Sequence, residues 1–206
     1  RDIMESANIH SGIFMNGQVV LYQGKRVYSS EIPTEMVKKF HQMVKEDGYG
    51  FTAYNDKEFY LVESTDGAKD AYGFIHTNPP ALNADFYIDN PINMLLFICL
   101  PPAEEKYKVA FPNLDFLRNT PYSVDVISKG NSKAEGIKRF LEYLNQEDAE
   151  TYAFGDGPND IEMLQAVTHP VAMGNAIPVL KELAEFITTN NTDNGIINGL
   201  KHYGLI

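Results

Sequence analysis

The last third of the chain alternates short apolar runs with amphipathic segments. From residue 122 onward the apolar runs are YSVDVIS, TYAF, HPVAM and FITTN, and each precedes a segment whose apolar residues have helical spacing. Strands that alternate with helices of this length are typical of a parallel sheet with crossover connections. The pattern therefore predicts an α/β fold for this part of the chain.

The first two thirds have a different pattern. The run GIFM ends at Asn16-Gly17, and QVVLYQ and RVYSSEI follow, which predicts a buried strand leading into a hairpin. Apolar residues at three- and four-residue spacing predict a helix over residues 34–47, with Gly48 at its C-terminal end. Strands are predicted at GFTAYN, EFYLVES and MLLFICL, a weak helix over 67–76, and a helix start at PPAEEKYKVAF. We interpret residues 31–120 as a separate α+β unit.

The composition of the chain argues against several classes of function. The 206 residues contain 17 Lys and Arg against 28 Asp and Glu, a net charge of −11, which argues against nucleic-acid binding. The single cysteine, Cys99, excludes an internal disulfide and agrees with a reducing compartment. The apolar run over 94–100 is too short to span a bilayer, and no signal peptide is visible. We expect a cytoplasmic protein without a membrane partner, and the sequence indicates no oligomeric state.

The strongest candidate for chemistry is TYAFGDGPNDIEML, residues 151–164. Asp156 follows a predicted strand and is flanked by two glycines, which permit close backbone approach and unusual dihedral angles. Asp160 follows one helical turn later. Ligand sites of open α/β sheets lie at the carboxyl ends of strands, and two carboxylates placed there suit Mg²⁺.

Simpler interpretations of this segment stay open for single residues. Asp156 could be a turn residue, and Asp160 alone could be a first-turn carboxylate that answers the helix dipole. A simple turn, however, needs neither both glycines nor both acids. An EF-hand is excluded, because Pro158 stands at a loop position that requires a side-chain oxygen.

A second candidate is the segment Ser132-Lys133-Ala134-Glu135. Ser132 and Glu135 fit a capping box, which makes Lys133 the first helical residue. A cation is unfavourable there, since the helix dipole already presents positive charge. An anion held between the ammonium group and the helix N-terminus would explain Lys133. The alternative is an exposed lysine whose repulsion is tolerated.

Together these motifs resemble those of the haloacid dehalogenase superfamily, and more narrowly its Cof-type sugar-phosphatase branch. The matching segments are FMNG, NSKAEGI, AFGDGPNDIEML, VAMGNA and ITTNNTDNGI. The resemblance covers residues 1–30 and 121–206. Over 31–120 only the position of the segment in the chain matches the family, whose variable cap domain lies there. It implies a Rossmann-like parallel sheet core formed by 1–30 and 121–206, with 31–120 inserted as an α+β cap domain that sets substrate specificity.

The resemblance also implies an activity and residue roles. The activity is that of a Mg²⁺-dependent phosphatase that hydrolyses small phosphorylated metabolites, sugar phosphates above all, through an aspartyl-phosphate. Asp156 would bind Mg²⁺ directly, and Asp160 would act on the metal directly or through water as a catalytic residue. Lys133 would neutralise the phosphoryl group and the nucleophilic carboxylate, and Asn159 would contact the phosphoryl group. Asn16 would shape the edge of the site, where a structural hairpin is favoured over ligand contact.

One departure from the family pattern matters for activity. The family's nucleophile lies in an Asp-x-Asp-x-Thr motif on its first strand, and the 206 residues contain no Asp-x-Asp. The nearest segment, over 115–120, lacks the second acid. We therefore expect the sheet to lack the first two core strands, residues 1–7 to end the preceding helix, and the chain, which begins at Arg1, to be part of a longer or split protein. As given, it should bind Mg²⁺ weakly and be inactive.

Two alternatives remain open at this point. A phosphomutase of related fold would share the metal and lysine motifs and differ only in its product. A non-catalytic module that binds phosphorylated metabolites would need no nucleophile. A dinucleotide-binding fold is disfavoured, since no Gly-x-Gly-x-x-Gly follows a strand.

Overall fold

The computed structural model describes Ser6 and residues 8–206, and contacts divide the chain into two units, residues 1–131 and 132–206. The helix end predicted over residues 1–7 lies outside the described residues, Ser6 apart. Strands and helices occur in both units, so the described chain has an α/β fold with mixed sheets.

The first unit begins with a three-stranded antiparallel sheet of β1 (Gly12–Phe14), β2 (Val19–Tyr22) and β3 (Lys25–Ser29). The β1–β2 turn contains Asn16 and Gly17 with φ of 54° and 90°. Asparagine and glycine are the residues that adopt positive φ at least cost, so the hairpin predicted from this dipeptide is confirmed.

A five-stranded antiparallel sheet forms the rest of that unit, in the order β5-β4-β6-β8-β7. Its strands are β4 (Gly50–Tyr54), β5 (Phe59–Glu63), β6 (Met94–Ile98), β7 (Leu114–Thr120) and β8 (Ser123–Ser128). The accompanying helices are α1 (Thr34–Asp47), α2 (Ala68–Phe74), α3 (Phe86–Asp89) and α4 (Glu104–Ala110). Phe40 of α1 is fully buried against one face of this sheet, in edge-to-face contact with Phe51 and Phe97.

The strand at 123–128 corrects one part of the sequence analysis. We predicted it as the first strand of the parallel sheet, but it pairs antiparallel with both β6 and β7. Strand β7 was not predicted, because its polar residues weaken its apolar signal, and without this neighbour β8 had no visible hairpin partner. The assignment of residues 1–30 to a core and of 31–120 to a cap stays a prediction.

The second unit contains the predicted parallel sheet. Its elements are α5 (Lys133–Leu144), β9 (Tyr152–Gly155), a 3₁₀ turn (Pro158–Asp160), α6 (Ile161–Ala166), β10 (His169–Ala172), α7 (Pro178–Leu183), β11 (Phe186–Ile187) and α8 (Gly195–His202). The described strands pair in parallel in the order β11-β10-β9. Helices therefore connect parallel strands, as the alternating pattern predicted.

Close packing holds α8 against β9. A Cβ atom on Gly199 of α8 would lie 2.3 Å from the ring of Phe154 in β9, so only glycine fits there.

In the described part of the chain, no helix is both long and apolar enough to cross a bilayer.

We predict that Gly199→Ala destabilises the protein by about 1–3 kcal/mol, because the added methyl group overpacks the α8–β9 contact. Urea unfolding followed by far-UV circular dichroism measures the change. Gly73→Ala in α2 is the matched control, since nothing lies within 4 Å of its Cβ position. An alanine there should stabilise α2 by about 0.5–1 kcal/mol. Equal effects of the two changes would contradict the packing argument.

Candidate active site

The loop that follows β9 is closed by the side chain of Asp160. Its Oδ2 atom accepts hydrogen bonds from the backbone N–H groups of Asp156 at 2.9 Å and Gly157 at 3.0 Å. The backbone N–H of Asp160 in turn donates to the carbonyl oxygen of Gly157 at 3.0 Å. These bonds fix the conformation of the loop that begins at Asp156, directly after the carboxyl end of β9.

The two glycines of this loop serve packing rather than unusual dihedral angles. A Cβ atom on Gly155 would lie 2.7 Å from Leu164 and 2.8 Å from the Cβ of Asp160, which confirms the predicted close approach. Neither glycine has a positive φ, and Gly157 is extended with φ −109° and ψ 169°. The unusual dihedral angles that glycine permits are therefore not used at either position.

Lys133 and Asp160 form an ion pair across 27 residues of sequence. Lys133 Nζ donates to Asp160 Oδ1 at 2.5 Å. Helix α5 begins at Lys133, as predicted, and the hydroxyl of Ser132 accepts the N–H of Glu135 at 3.3 Å. The anion that explains a lysine in the first helical turn is thus the carboxylate of Asp160, a residue of the chain itself.

Asp160 is held in its ionised form by these contacts. Its side chain is only 7% exposed, while that of Lys133 is 32% exposed. Burial by itself raises the pKa of Asp160. The hydrogen bonds from Lys133 and from the backbone of Gly157 and Asp156 outweigh burial and hold the pKa below its ordinary value.

Asp156 is exposed and has a different set of contacts. Its Oδ2 atom accepts a hydrogen bond from Nδ2 of Asn175 at 2.8 Å. The Oδ1 atom of Asn175 accepts the backbone N–H of Asn191 at 3.0 Å. Among the contacts of the described residues, Asp156 Oδ1 has no partner, so it is the carboxylate oxygen that faces solvent unshared.

The donor set fits a divalent cation of the Mg²⁺ type. Mg²⁺ in proteins uses one or two carboxylates and keeps several waters. Asp156 offers an unshared carboxylate oxygen at a strand end, whereas both oxygens of Asp160 already accept N–H donors. Within the described residues no group of three or more His, Cys, Asp or Glu side chains could hold a metal. A cation here would depend on Asp156, water and ligand oxygens.

The two predicted asparagines lie in different units. Asn159 is exposed in the 3₁₀ turn, between Pro158 and Asp160. Asn16 lies in the first unit, where its Nδ2 atom donates to Oδ2 of the buried Asp125 at 3.0 Å. The hairpin interpretation of Asn16 thus agrees with the structure, and its role at a ligand stays a prediction.

Sequence reasoning gave Asn175 and Asn191 no role. Both lie in segments that carried the family resemblance, VAMGNA and ITTNNTDNGI. The available signal was that amide side chains cluster after two successive predicted strands. The contact of Asn175 with Asp156, and that of the Asn191 backbone with Asn175, depend on the parallel order of β9, β10 and β11, which the sequence does not specify.

Known proteins are similar to this chain in sequence and in fold. A family model described as haloacid dehalogenase-like hydrolase matches residues 1–200. The protein YkrA of Bacillus subtilis (strain 168) is 36% identical over 208 residues, which cover 100% of this chain and 80% of YkrA.

Solved structures are also similar. A protein from Geobacillus kaustophilus HTA426 has a TM-score of 0.90 and 31% identity, over 100% of this chain and 80% of that one. BT4131, described as a HAD subclass IIB sugar phosphatase, has a TM-score of 0.85 and 26% identity, also over 100% of this chain and 80% of that one.

We predict that Asp160→Asn destabilises the protein by about 3 kcal/mol, the lower end of the range for breaking a buried ion pair, because Lys133 is partly exposed. The amide would leave the ammonium group without a counterion. Urea unfolding provides the measurement. The control is Glu142→Gln on α5, the helix that begins at Lys133. There the exposed pair of Glu142 with Lys138, at 3.9 Å, should contribute less than about 0.5 kcal/mol. If Asp160→Asn lowers the free energy of unfolding no more than Glu142→Gln does, the Lys133–Asp160 pair does not stabilise the protein.

Proposed function

The chain belongs to the haloacid dehalogenase-like hydrolase family, and on that premise we propose that it acts in a Mg²⁺-dependent phosphatase of small phosphorylated metabolites. The family model and the relatives confirm the resemblance predicted from the motifs. Sugar phosphates are the proposed substrate class, supported by the similarity to BT4131, which is described as a sugar phosphatase.

One observation carries the proposal. A lysine ammonium and two carboxylates of the second unit are linked through one loop at the carboxyl end of a parallel strand, where ligands of α/β sheets bind. Lys133 contributes positive charge, and Asp156 contributes an oxygen ligand for a cation. Positive charge and a cation site in one place suit a phosphate monoester, which carries two negative charges.

Asp156 would hold the metal through its Oδ1 atom, with water and phosphate oxygens as further ligands. Bound Mg²⁺ would supply charge neutralisation at the phosphoryl oxygens. Asp160 would act on the metal through water or through the remaining acceptor site of Oδ1, because Oδ2 accepts two backbone hydrogen bonds and Oδ1 accepts one from Lys133. Its main role in the proposal is to orient Lys133.

Lys133 would neutralise charge that develops on the phosphoryl oxygens. Its side chain is tied to Asp160 but remains 32% exposed, so part of the ammonium group is accessible to a ligand. Its place in the first turn of α5 adds the positive end of the helix dipole. Asn159 is exposed in the loop after β9, and its side-chain N–H would donate a hydrogen bond to a phosphoryl oxygen.

The proposed reaction needs a carboxylate nucleophile that forms an aspartyl-phosphate, which water then hydrolyses. The family's Asp-x-Asp motif is not among the 206 residues, so the nucleophile is not assigned to any of them. We propose that the chain alone binds Mg²⁺ and is inactive. Residues 31–120 would act as a cap that excludes water and selects the substrate.

We predict that Asp156→Ala abolishes Mg²⁺ binding by this chain, because it removes the unshared carboxylate oxygen. Titration with MgCl₂, followed by ¹H–¹⁵N NMR spectra, detects binding even at millimolar affinity. Asp148→Ala is the control, since Asp148 is exposed in the same unit and lies outside the loop. Binding that persists in Asp156→Ala would refute the metal assignment.

We predict that Lys133→Ala lowers kcat by about 10²–10³-fold, as the loss of a charge-stabilising donor does. The assay uses a polypeptide that carries this chain together with an Asp-x-Asp segment, and a panel of sugar phosphates. Lys138→Ala on the same helix should change kcat less than twofold, because among the described residues Lys138 pairs only with Glu142, at 3.9 Å. Circular dichroism checks that each variant is folded, and an unchanged kcat in Lys133→Ala would remove its proposed role.

A further inference from the structure

Three loops meet at the carboxyl ends of β9, β10 and β11. The backbone N–H of Gly174, after β10, donates to the carbonyl oxygen of Thr189, after β11, at 3.0 Å. The N–H of Ile177 donates to the carbonyl oxygen of Asp156, after β9, at 3.1 Å. Backbone hydrogen bonds therefore hold the three loops in fixed register.

The side chain of Asn175 bridges all three loops. Its Nδ2 atom donates to Asp156 Oδ2 at 2.8 Å, and its Oδ1 atom accepts the N–H of Asn191 at 3.0 Å. Because the oxygen is engaged by a backbone donor, the amide group is oriented with its nitrogen toward Asp156. The orientation is set by the loop rather than by the carboxylate alone.

Further contacts restrain the backbone next to Asn175. A Cβ atom on Gly174 would lie 2.5 Å from Oδ1 and 2.8 Å from the backbone nitrogen of Asn190, so a larger residue at 174 would clash with the loop after β11. Lys181 Nζ donates to the carbonyl oxygen of Gly174 at 2.6 Å. These contacts limit the positions that the amide of Asn175 can take.

An exposed aspartate without such a partner would sample several rotamers and lose that freedom when it binds a cation. Outer partners that orient a ligating carboxylate reduce this cost, and their loss weakens metal binding. We propose that Asn175 is the positioning residue of the metal site: it holds Oδ2 of Asp156 and so presents Oδ1 to the cation. This inference rests on the proposed function, which makes Asp156 the metal ligand.

The test compares Mg²⁺ affinity in the 206-residue chain and in Asn175→Ala, by titration with MgCl₂ and ¹H–¹⁵N NMR. Asn175→Ala should weaken Mg²⁺ binding by about 10- to 100-fold. The matched control is Asn198→Ala, because Asn198 donates to Thr189 Oγ1 at 2.9 Å and to the carbonyl oxygen of Asp193 in the same loop cluster, without contact to Asp156. The control should bind Mg²⁺ within twofold of the unmodified chain.

A second measurement needs no variant and covers the case in which Asn175→Ala does not fold. In the unmodified chain, Mg²⁺ should shift the side-chain NH₂ resonances of Asn175 and the backbone N–H of Asn191, and leave the side-chain NH₂ of Asn198 unchanged. A purely structural bridge would weaken thermal stability in Asn175→Ala without changing the affinity of the folded fraction.

The outcomes separate this inference from the function on which it rests. If the unmodified chain binds Mg²⁺ and folded Asn175→Ala binds it equally well, the positioning role is overturned and the metal site stands. If the unmodified chain does not bind Mg²⁺, or Asp156→Ala binds it normally, the metal assignment and this inference are both overturned. Equal resonance shifts at Asn175 and Asn198 would also overturn the positioning role.

Discussion

A partly buried ion pair between Lys133 and Asp160 connects two segments of the second unit. An almost fully buried carboxylate is costly unless its charge is matched and its oxygens accept hydrogen bonds. Asp160 meets both conditions, through Lys133 and through two backbone N–H groups of its own loop. The ion pair therefore joins the start of α5 to the loop after β9, and it accounts for a cation in the first turn of this helix.

Two aspartates four residues apart acquire different chemistry from their surroundings. Asp160 is buried and both of its oxygens are engaged, so it orients other groups. Asp156 is exposed, and only one of its oxygens has a partner among the described residues. The carboxylate of Asp160 thus serves as an internal counterion, and that of Asp156 is a candidate metal ligand. Differences in environment commonly give two nearby carboxylates different roles.

Local signals predicted most elements of the fold and failed where partners were distant. Helix α1, its end at Gly48, the turn at Asn16 and the parallel strands of the second unit follow from spacing and turn residues, which act over a few positions. The strand at 123–128 was placed in the wrong sheet, because pairing with β7 and β6 is decided by neighbours that a local pattern does not name. For the same reason, Asn175 had no predicted role.

The sequence by itself determined that two aspartates follow a strand and that a lysine begins a helix, and hence that Asp156, Asp160 and Lys133 are candidates for phosphate and metal chemistry. Only the tertiary structure decided how they are used. Hydrogen bonds between segments that are 27 and 19 residues apart bind Lys133 to Asp160 and Asn175 to Asp156. The Asn175–Asp156 contact arises because parallel strands bring their carboxyl ends together. The Lys133–Asp160 contact arises because α5 packs beside α6. Both arrangements exist only after the chain has folded.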